Sequence, residues 1–139
     1  MNKTFVDTNI VVYSQDRRDL WKQNIAVHII VDLLKSRSGV ISTQVLQEYA
    51  YTALAKLNQR EDVLVRNLTI LEGFEVVRQS PSMIKRAVDL SRLYSISFWD
   101  GCIKSNAEFA GCTTLISEDL NPGQFYSGIR VVNPFNQGA

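Results

Sequence analysis

Residues 5–10 read FVDTNI: two apolar residues and then a carboxylate, a hydroxyl and an amide, before the chain turns apolar again. Phe5 and Val6 read as the end of a buried strand, and Asp7 as the point where that strand meets a polar environment. Burying Asp7 beside them costs on the order of several kcal/mol unless something compensates its charge. Asp7 therefore either caps a turn or binds something.

Working outward, residues 20–36 place Ile25, Ile29, Ile30, Leu33 and Leu34 at helical spacing. Gly39 to Ile41 form a short strand, and Ser42 or Thr43 caps a helix from about Gln44 to Leu57. The run EDVLVRNLTILE predicts a helix ended by Gly73 as a left-handed cap. FEVVRQ is the next strand. SPSMIKRAVDLSRLYS follows with Ser80 as cap and Pro81 in the first helical position, where its missing N–H costs nothing. SFWDGCIKSNAEFAG is a helix between Ser97 and Gly111, TTLIS a strand, EDLNPGQ a loop or helical turn, and IRVVN a last strand before Pro134. Short apolar strands alternating with helices predict an α/β fold with a central parallel sheet flanked by helices on both faces. Such sheets bind ligands outside the carboxyl ends of their strands, at a switch in strand order. That rule gives Asp7 a location.

At 139 residues and 45% hydrophobic content, the chain is expected to form one domain over residues 1–139. A chain of this length buries roughly two-thirds of its unfolded surface. Cys102 and Cys112 have neither partner histidines nor a CxxC spacing, so they read as reduced packing residues. The start of the chain lacks the apolar core of a signal peptide, and IAVHIIVDLL is interrupted by His28 and Asp32; a cytoplasmic protein with no membrane segment is expected. With a net charge of +1, a phosphate-rich partner would have to be held locally, by a basic patch or by metal.

Four acids fall at matching junctions. Asp7 ends the first strand, Glu48 lies about one turn into the helix after GVIS, Asp100 sits in the first turn after Ser97, and Asp119 follows TTLIS. Each alone has an ordinary account: Asp100 as a capping acid, Asp119 and Glu118 as loop acids, Glu48 as a solvated helix residue, Asp7 as an Asx-turn carboxylate. Gathered within about 4 Å, carboxylates repel by roughly 4 kcal/mol per pair at an effective dielectric near 20. Two acids can share a proton, whereas three or four argue for a divalent cation. Oxygen-only donors favour Mg²⁺ or Mn²⁺, and a cation that keeps its waters suits phosphodiester hydrolysis. Thr8 and Asn9 then read as groups that orient Asp7 or a scissile phosphate.

The series FVDTN, STQVLQEY, SFWDG and LISEDLNPGQ, closed by RVVNPF, resembles the PIN-domain ribonucleases of the VapC toxin class over nearly the whole chain. The resemblance implies a PIN-like fold in which Asp7, Glu48, Asp100 and Asp119 form an acidic site for Mg²⁺ or Mn²⁺ that cleaves RNA. It also implies a role for the Thr8 hydroxyl, with Asn9 beside it, and a homodimer neutralised by a cognate antitoxin whose tail covers the acidic cleft. The sequence departs from this pattern after Asp100, where such toxins commonly carry small apolar residues and this chain has Gly101, Cys102, Lys104, Ser105, Asn106 and Glu108. Between Glu118 and Asp119, the reading favours Asp119 as the ligand. It has Asp7, Asp100 and Asp119 hold one or two ions, while Glu48 ligates directly or through water and orients the attacking water.

Two other readings share part of this pattern. A phospho-receiver domain also has a doubly wound sheet and an acidic Mg²⁺ pocket, but calls for paired acids after the first strand and a lysine after the last. A PIN-like module that binds RNA or partners without cutting would keep the fold alone. Arg17, Arg18, Lys22, Lys56, Arg60 and Lys104 could contact RNA phosphates but read in the main as solvated helix faces; Trp21 and Trp99 could stack on bases, but Trp99 beside Asp100 reads as a packed anchor; and His28 reads as a core-edge residue with no catalytic role.

Overall fold

Phe5 and Val6 are fully buried in β1 (Thr4–Val6), the middle of the sheet. A computed structural model describes residues 2–120, 123 and 125–136. In chain order the elements are β1, α1 (Thr8–Tyr13), α2 (Leu20–Ser36), β2 (Gly39–Ser42), α3 (Thr43–Ala55), α4 (Glu61–Leu71), β3 (Glu75–Val77), α5 (Pro81–Leu93), α6 (Phe98–Phe109), β4 (Thr114–Ile116), β5 (Phe125–Tyr126) and β6 (Ile129–Val132). The sheet runs β3-β2-β1-β4-β6-β5. Every neighbouring pair is parallel except the β5–β6 edge pair. The expected parallel sheet is therefore present, with an antiparallel strand added at one edge.

The steps β1 to β2 and β2 to β3 run one way along the sheet, and β3 to β4 returns across β1. Right-handed crossovers put α1 to α4 over one face and α5 with α6 over the other. The packing agrees: α1 lies on α2 and α3, α3 on α4, and α5 on α6. With helices on both faces, β2 is buried at all of its positions, as a two-sided strand requires. This strand order is not the 2-1-3-4-5 order of flavodoxin-like domains, and it removes the receiver alternative.

The helix starts follow local chemistry. Ser42, Ser80 and Ser97 each accept a hydrogen bond from the N–H three residues on, those of Val45, Met83 and Asp100, as N-cap hydroxyls do. Gly111 ends α6 with a φ of 75°. Gly73 corrects the sequence reading: it has no left-handed φ, and α4 ends on Glu72 in the right-handed region. A Cβ on Gly73 would stand 2.9 Å from Leu34 Cδ2, so its small size serves packing between α2 and the end of α4. At Gly101 a Cβ would meet the Ala87 carbonyl oxygen at 2.5 Å, and this close approach seats α6 on α5.

Of the polar residues that follow Asp100 in α6, Lys104, Ser105 and Asn106 are buried, and Glu108 is half-buried and paired with Arg86. Ser105 Oγ donates to the Met83 carbonyl at 2.7 Å, and Asn106 Nδ2 to Gln79 Oε1 at 2.8 Å, both reaching α5 or its approach. Lys104, expected on a solvated face, is buried with its Nζ 2.8 Å from the centroid of the Tyr126 ring. Cys102 and Cys112 are free and buried, as expected. Part of EDLNPGQ lies outside the described residues.

Candidate functional site

β1 and β4 are neighbours on either side of the point where the strand order reverses, so the loops leaving their carboxyl ends open together. Asp7 leaves β1 and is at once the N-cap of α1: its Oδ1 accepts from the Thr8 N–H at 2.7 Å. α1 is a short helix missed by the periodicity of TNIVVY, and it explains why a carboxylate stands at this strand end. Capping does not exhaust Asp7. Its Oδ2 accepts from Ser117 Oγ at 2.7 Å, and Ser117 follows β4 with its side chain fully buried.

The other residues assemble around this pair. Asn9 Nδ2 donates to Asp119 Oδ2 at 3.0 Å, and Asn9 Oδ1 accepts from the Glu118 N–H, so Asn9 ties the β4 loop to α1. Ser117 Oγ accepts from the Asp119 N–H at 3.2 Å. Thr8 Oγ1 donates to Glu48 Oε1 at 2.8 Å, bringing α3 to α1. Asp100 enters from α6 on the opposite face of the sheet. Asp7, Glu48, Asp100 and Asp119 thus line one cleft of about 470 Å³, together with Thr8, Asn9 and Trp99.

Glu118 lines the same cleft but is engaged elsewhere. Its carboxylate accepts from Tyr13 Oη at 2.6 Å and pairs with Lys22. Those partners hold its carboxyl below the usual range against the opposing effect of burial, the largest single contribution. No such cation touches the other four acids among the described residues. Asp7 shows the consequence. Burial pushes its carboxyl up to about 7; the bonds from Ser117 and Thr8 oppose this, and the charges of Asp100 and Asp119 add to it. Asp100 is also raised, first by burial and then by Asp119, with Ser97 and the Lys104 ammonium opposing.

Two contributors were not singled out from the sequence. Ser117 bridges Asp7 and Asp119, and its only trace is a hydroxyl directly after TLI. Gln44 lies one turn before Glu48, which was its available signal; its Nε2 donates to Glu48 Oε1 and to the Trp99 carbonyl, both at 3.2 Å. Gln44 is buried, and its Oε1 has no partner among the described residues. Trp99, expected to be packed, is 61% exposed on the cleft rim with Phe98 edge-on to it. His28 is exposed, with Nδ1 2.8 Å from the Asn24 carbonyl oxygen.

A model of the PIN domain matches residues 4–126. The chain belongs to the PIN-domain family. Among solved structures, this PIN chain is similar to a chain of a toxin–antitoxin complex from Klebsiella pneumoniae, with a TM-score of 0.70 and 22% identity over 97% of this chain and 100% of that one. It is similar to the DNA-bound VapBC of Salmonella typhimurium, with a TM-score of 0.66 and 19% identity over 94% of this chain and 97% of that one. The sarcin–ricin loop cleaving toxin VapC20 of Mycobacterium tuberculosis gives a TM-score of 0.66 and 16% identity over 81% of this chain and 87% of that one. No curated protein matches the chain in sequence.

The donor set can be tested against a cation. All four acids supply oxygen, the ligand type of hard divalent ions. Among the described residues, however, no three Asp, Glu, His or Cys side chains stand close enough to share one ion. The two observations agree for an ion such as Mg²⁺, which takes one or two carboxylates and keeps several waters. A cage of protein ligands, as Ca²⁺ would favour, does not fit.

Proposed function

We propose that this PIN domain, spanning residues 1–139, is a metal-dependent endoribonuclease and the toxin of a toxin–antitoxin pair. The observation that carries the reading is the gathering of acids at the sheet's switch point: buried Asp7, held by Thr8 and Ser117, lines one cleft with Glu48, Asp100 and Asp119, and among the described residues no ion pair engages any of the four. A site that gathers acids without a cation of its own is suited to receive one. Likeness to chains of a toxin–antitoxin complex from Klebsiella and of VapBC from Salmonella, and to the toxin VapC20 of Mycobacterium, supports the toxin role and a cognate antitoxin as partner, and a cytoplasmic setting belongs to the same proposal. The homodimer implied by the resemblance to VapC-class toxins stands as part of the same proposal.

In this reading Asp7, Asp100 and Asp119 would hold one or two Mg²⁺ or Mn²⁺ ions, with no more than two of the carboxylates and several waters on each, and Asp119 rather than Glu118 is the ligand, since Glu118 is occupied by Lys22 and Tyr13. When bound, the ion lowers the pKa of water and stabilises the leaving oxygen of a phosphodiester. Glu48, fixed by Thr8 and Gln44, orients the attacking water. Ser117 and the Thr8 N–H keep Asp7 aimed. Asn9 does the same for Asp119.

The test is cleavage of a mixed RNA substrate by protein freed of any co-purifying partner, in Mg²⁺, Mn²⁺ and EDTA, for wild type and Asp7→Asn. Cutting that needs the metal and falls to background in Asp7→Asn is expected. Cutting that persists in EDTA or in Asp7→Asn would sink the proposal. Gln44→Ala, which leaves Glu48 held by Thr8 alone, is expected to lower the rate with metal affinity unchanged.

A further inference from the structure

The chain's charges nearly cancel, with 15 Lys and Arg against 14 Asp and Glu, but they are not evenly spread. A second cleft, of about 600 Å³, opens between the loop that follows α1 and the loop that joins α3 to α4. Its ionisable lining is Arg17, Arg18, Lys56, Arg60, Arg66 and a single acid, Asp16. Asp16 is buried and already bound by Arg18, through both Nε and Nη2 at 2.9 Å. Arg60 pairs with Asp62. Arg17, Lys56 and Arg66 are exposed and have no acidic partner among the described residues.

The walls of this cleft are built. Gln15, from the loop after α1, accepts at Oε1 from Gln59 Nε2 at 3.0 Å and from Asn67 Nδ2 at 2.9 Å. Tyr49 Oη donates to Gln59 Oε1 at 2.6 Å and accepts from Asn67 Nδ2 at 3.1 Å. One polar network therefore fixes both loops against α3 and α4, and the cations project from a framed groove. The basic cleft is also continuous with the carboxylate cleft, because Asp16, Arg18 and Lys56 line both. The order runs along α3: Lys56 caps its C-terminal end, Glu48 lies between, and Gln44 at its start donates to the carbonyl of Trp99, which stands exposed on the rim of the carboxylate cleft.

We infer that the groove of Arg17, Lys56 and Arg66 is a binding site for the phosphate backbone of a single-stranded RNA segment flanking the bond at Asp7. The substrate class rests on the nuclease reading above. A polyanion is repelled by a carboxylate cleft, so entry requires adjacent cations to hold the phosphates on at least one side. An exposed aromatic ring beyond the carboxylates supplies the stacking surface that unpaired bases use, which favours a single strand over a duplex. The order along the strand is then cationic groove, carboxylates, Trp99.

The experiment measures fluorescence anisotropy of a short, mixed-sequence, single-stranded oligoribonucleotide in EDTA, across a salt series. Wild type is compared with Arg17→Ala/Arg66→Ala, with Lys56→Ala, and with a control, Lys35→Ala/Lys85→Ala, that removes two exposed lysines outside the groove. Each phosphate contact on a single strand contributes about 0.7 to the slope of log K against log salt. The double variant is expected to bind more weakly with a slope flatter by about 1.4, Lys56→Ala with one flatter by about 0.7, and the control as wild type does. Unchanged slopes in both groove variants overturn the inference. So does loss of binding to a poly-glutamate peptide with RNA binding intact, which would mark the groove as a site for an acidic protein segment. The same preparations assayed with Mn²⁺ separate the two proposals. Flattened slopes without cutting by wild type leave the groove standing and sink the nuclease; cutting by wild type with unchanged slopes does the reverse.

Discussion

Asp7, at the β1–β4 junction, and Lys104, in the middle of α6, are both buried charges, and burial moves both toward neutrality. Asp7 is pushed from 3.8 up to about 7 and Lys104 from 10.5 down to about 7. Their surroundings differ in kind. Asp7 has hydrogen-bond donors on both oxygens, from Thr8 and Ser117, and acids as its nearest charges. Lys104 Nζ has no hydrogen-bond partner among the described residues and lies over the Tyr126 ring, with Asp100 as its main favourable charge. A carboxylate that is held in place but not neutralised is suited to receive a cation; an ammonium resting on an aromatic face fills space and offsets part of the charge of Asp100.

The difference has a pH signature. Asp7 is protonated in folded and unfolded chains below 3.8, so its burial costs nothing there; the penalty grows as pH rises toward 7 and is complete above it. For Lys104 the penalty is absent above 10.5, grows as pH falls, and is complete below about 7. At pH 8 in EDTA, Asp7→Asn is expected to stabilise the protein by about 3 kcal/mol, within the roughly 4 kcal/mol that such a displacement represents. Denaturant unfolding should show the gain vanishing near pH 4. A destabilised Asp7→Asn at pH 8 would mean that the charge is already compensated.

Next in size is the response to metal. Mn²⁺ at a hundredfold excess over its dissociation constant should add about 2.7 kcal/mol to the stability of wild type and nothing to Asp7→Asn. Lys104→Met should keep that response, because Lys104 is not among the acids. The same Lys104→Met change is expected to stabilise the metal-free protein by about 2 kcal/mol at pH 7, within the same conversion of pKa displacement to free energy, and by little near pH 10.5. A loss of stability at pH 7 would show that the Tyr126 ring outweighs burial. The smallest effect is Ser117→Ala. It should cost about 1 kcal/mol by leaving Asp7 short of a donor, and more at pH 8 than at pH 4, because the bond favours the ionised carboxylate.

The parallel sheet was legible because each strand is a short apolar run bounded by helix starts that carry their own caps, Ser42, Ser80 and Ser97. The four acids were legible because strand ends in such a sheet are where ligands bind, and the structure brings Asp7, Glu48, Asp100 and Asp119 to one cleft. α1 escaped because a six-residue helix with buried Ile10 and Val11 shows no period that separates it from a strand. β5 escaped because a strand of two residues has no pattern at all. Lys104 and Trp99 were read the wrong way round, the lysine being buried and the tryptophan exposed. Residue type sets only the average cost of burial, whereas the seating of α6 on α5 decides which side of the helix is covered.

The sequence by itself determined the order of elements, their caps and the positions of the acids, because these depend on neighbours within a few residues. Only the tertiary structure decided that Glu118 is spoken for by Lys22 and Tyr13, that Ser117 joins Asp7 to Asp119, and that a basic groove runs into the carboxylate cleft. The Lys22, Tyr13 and Ser117 contacts bridge residues roughly a hundred positions apart, and the groove joins loops some forty apart. Charge and hydrogen-bond complementarity over such separations exists only after the crossovers have folded α1, α3 and α6 around the ends of β1 and β4.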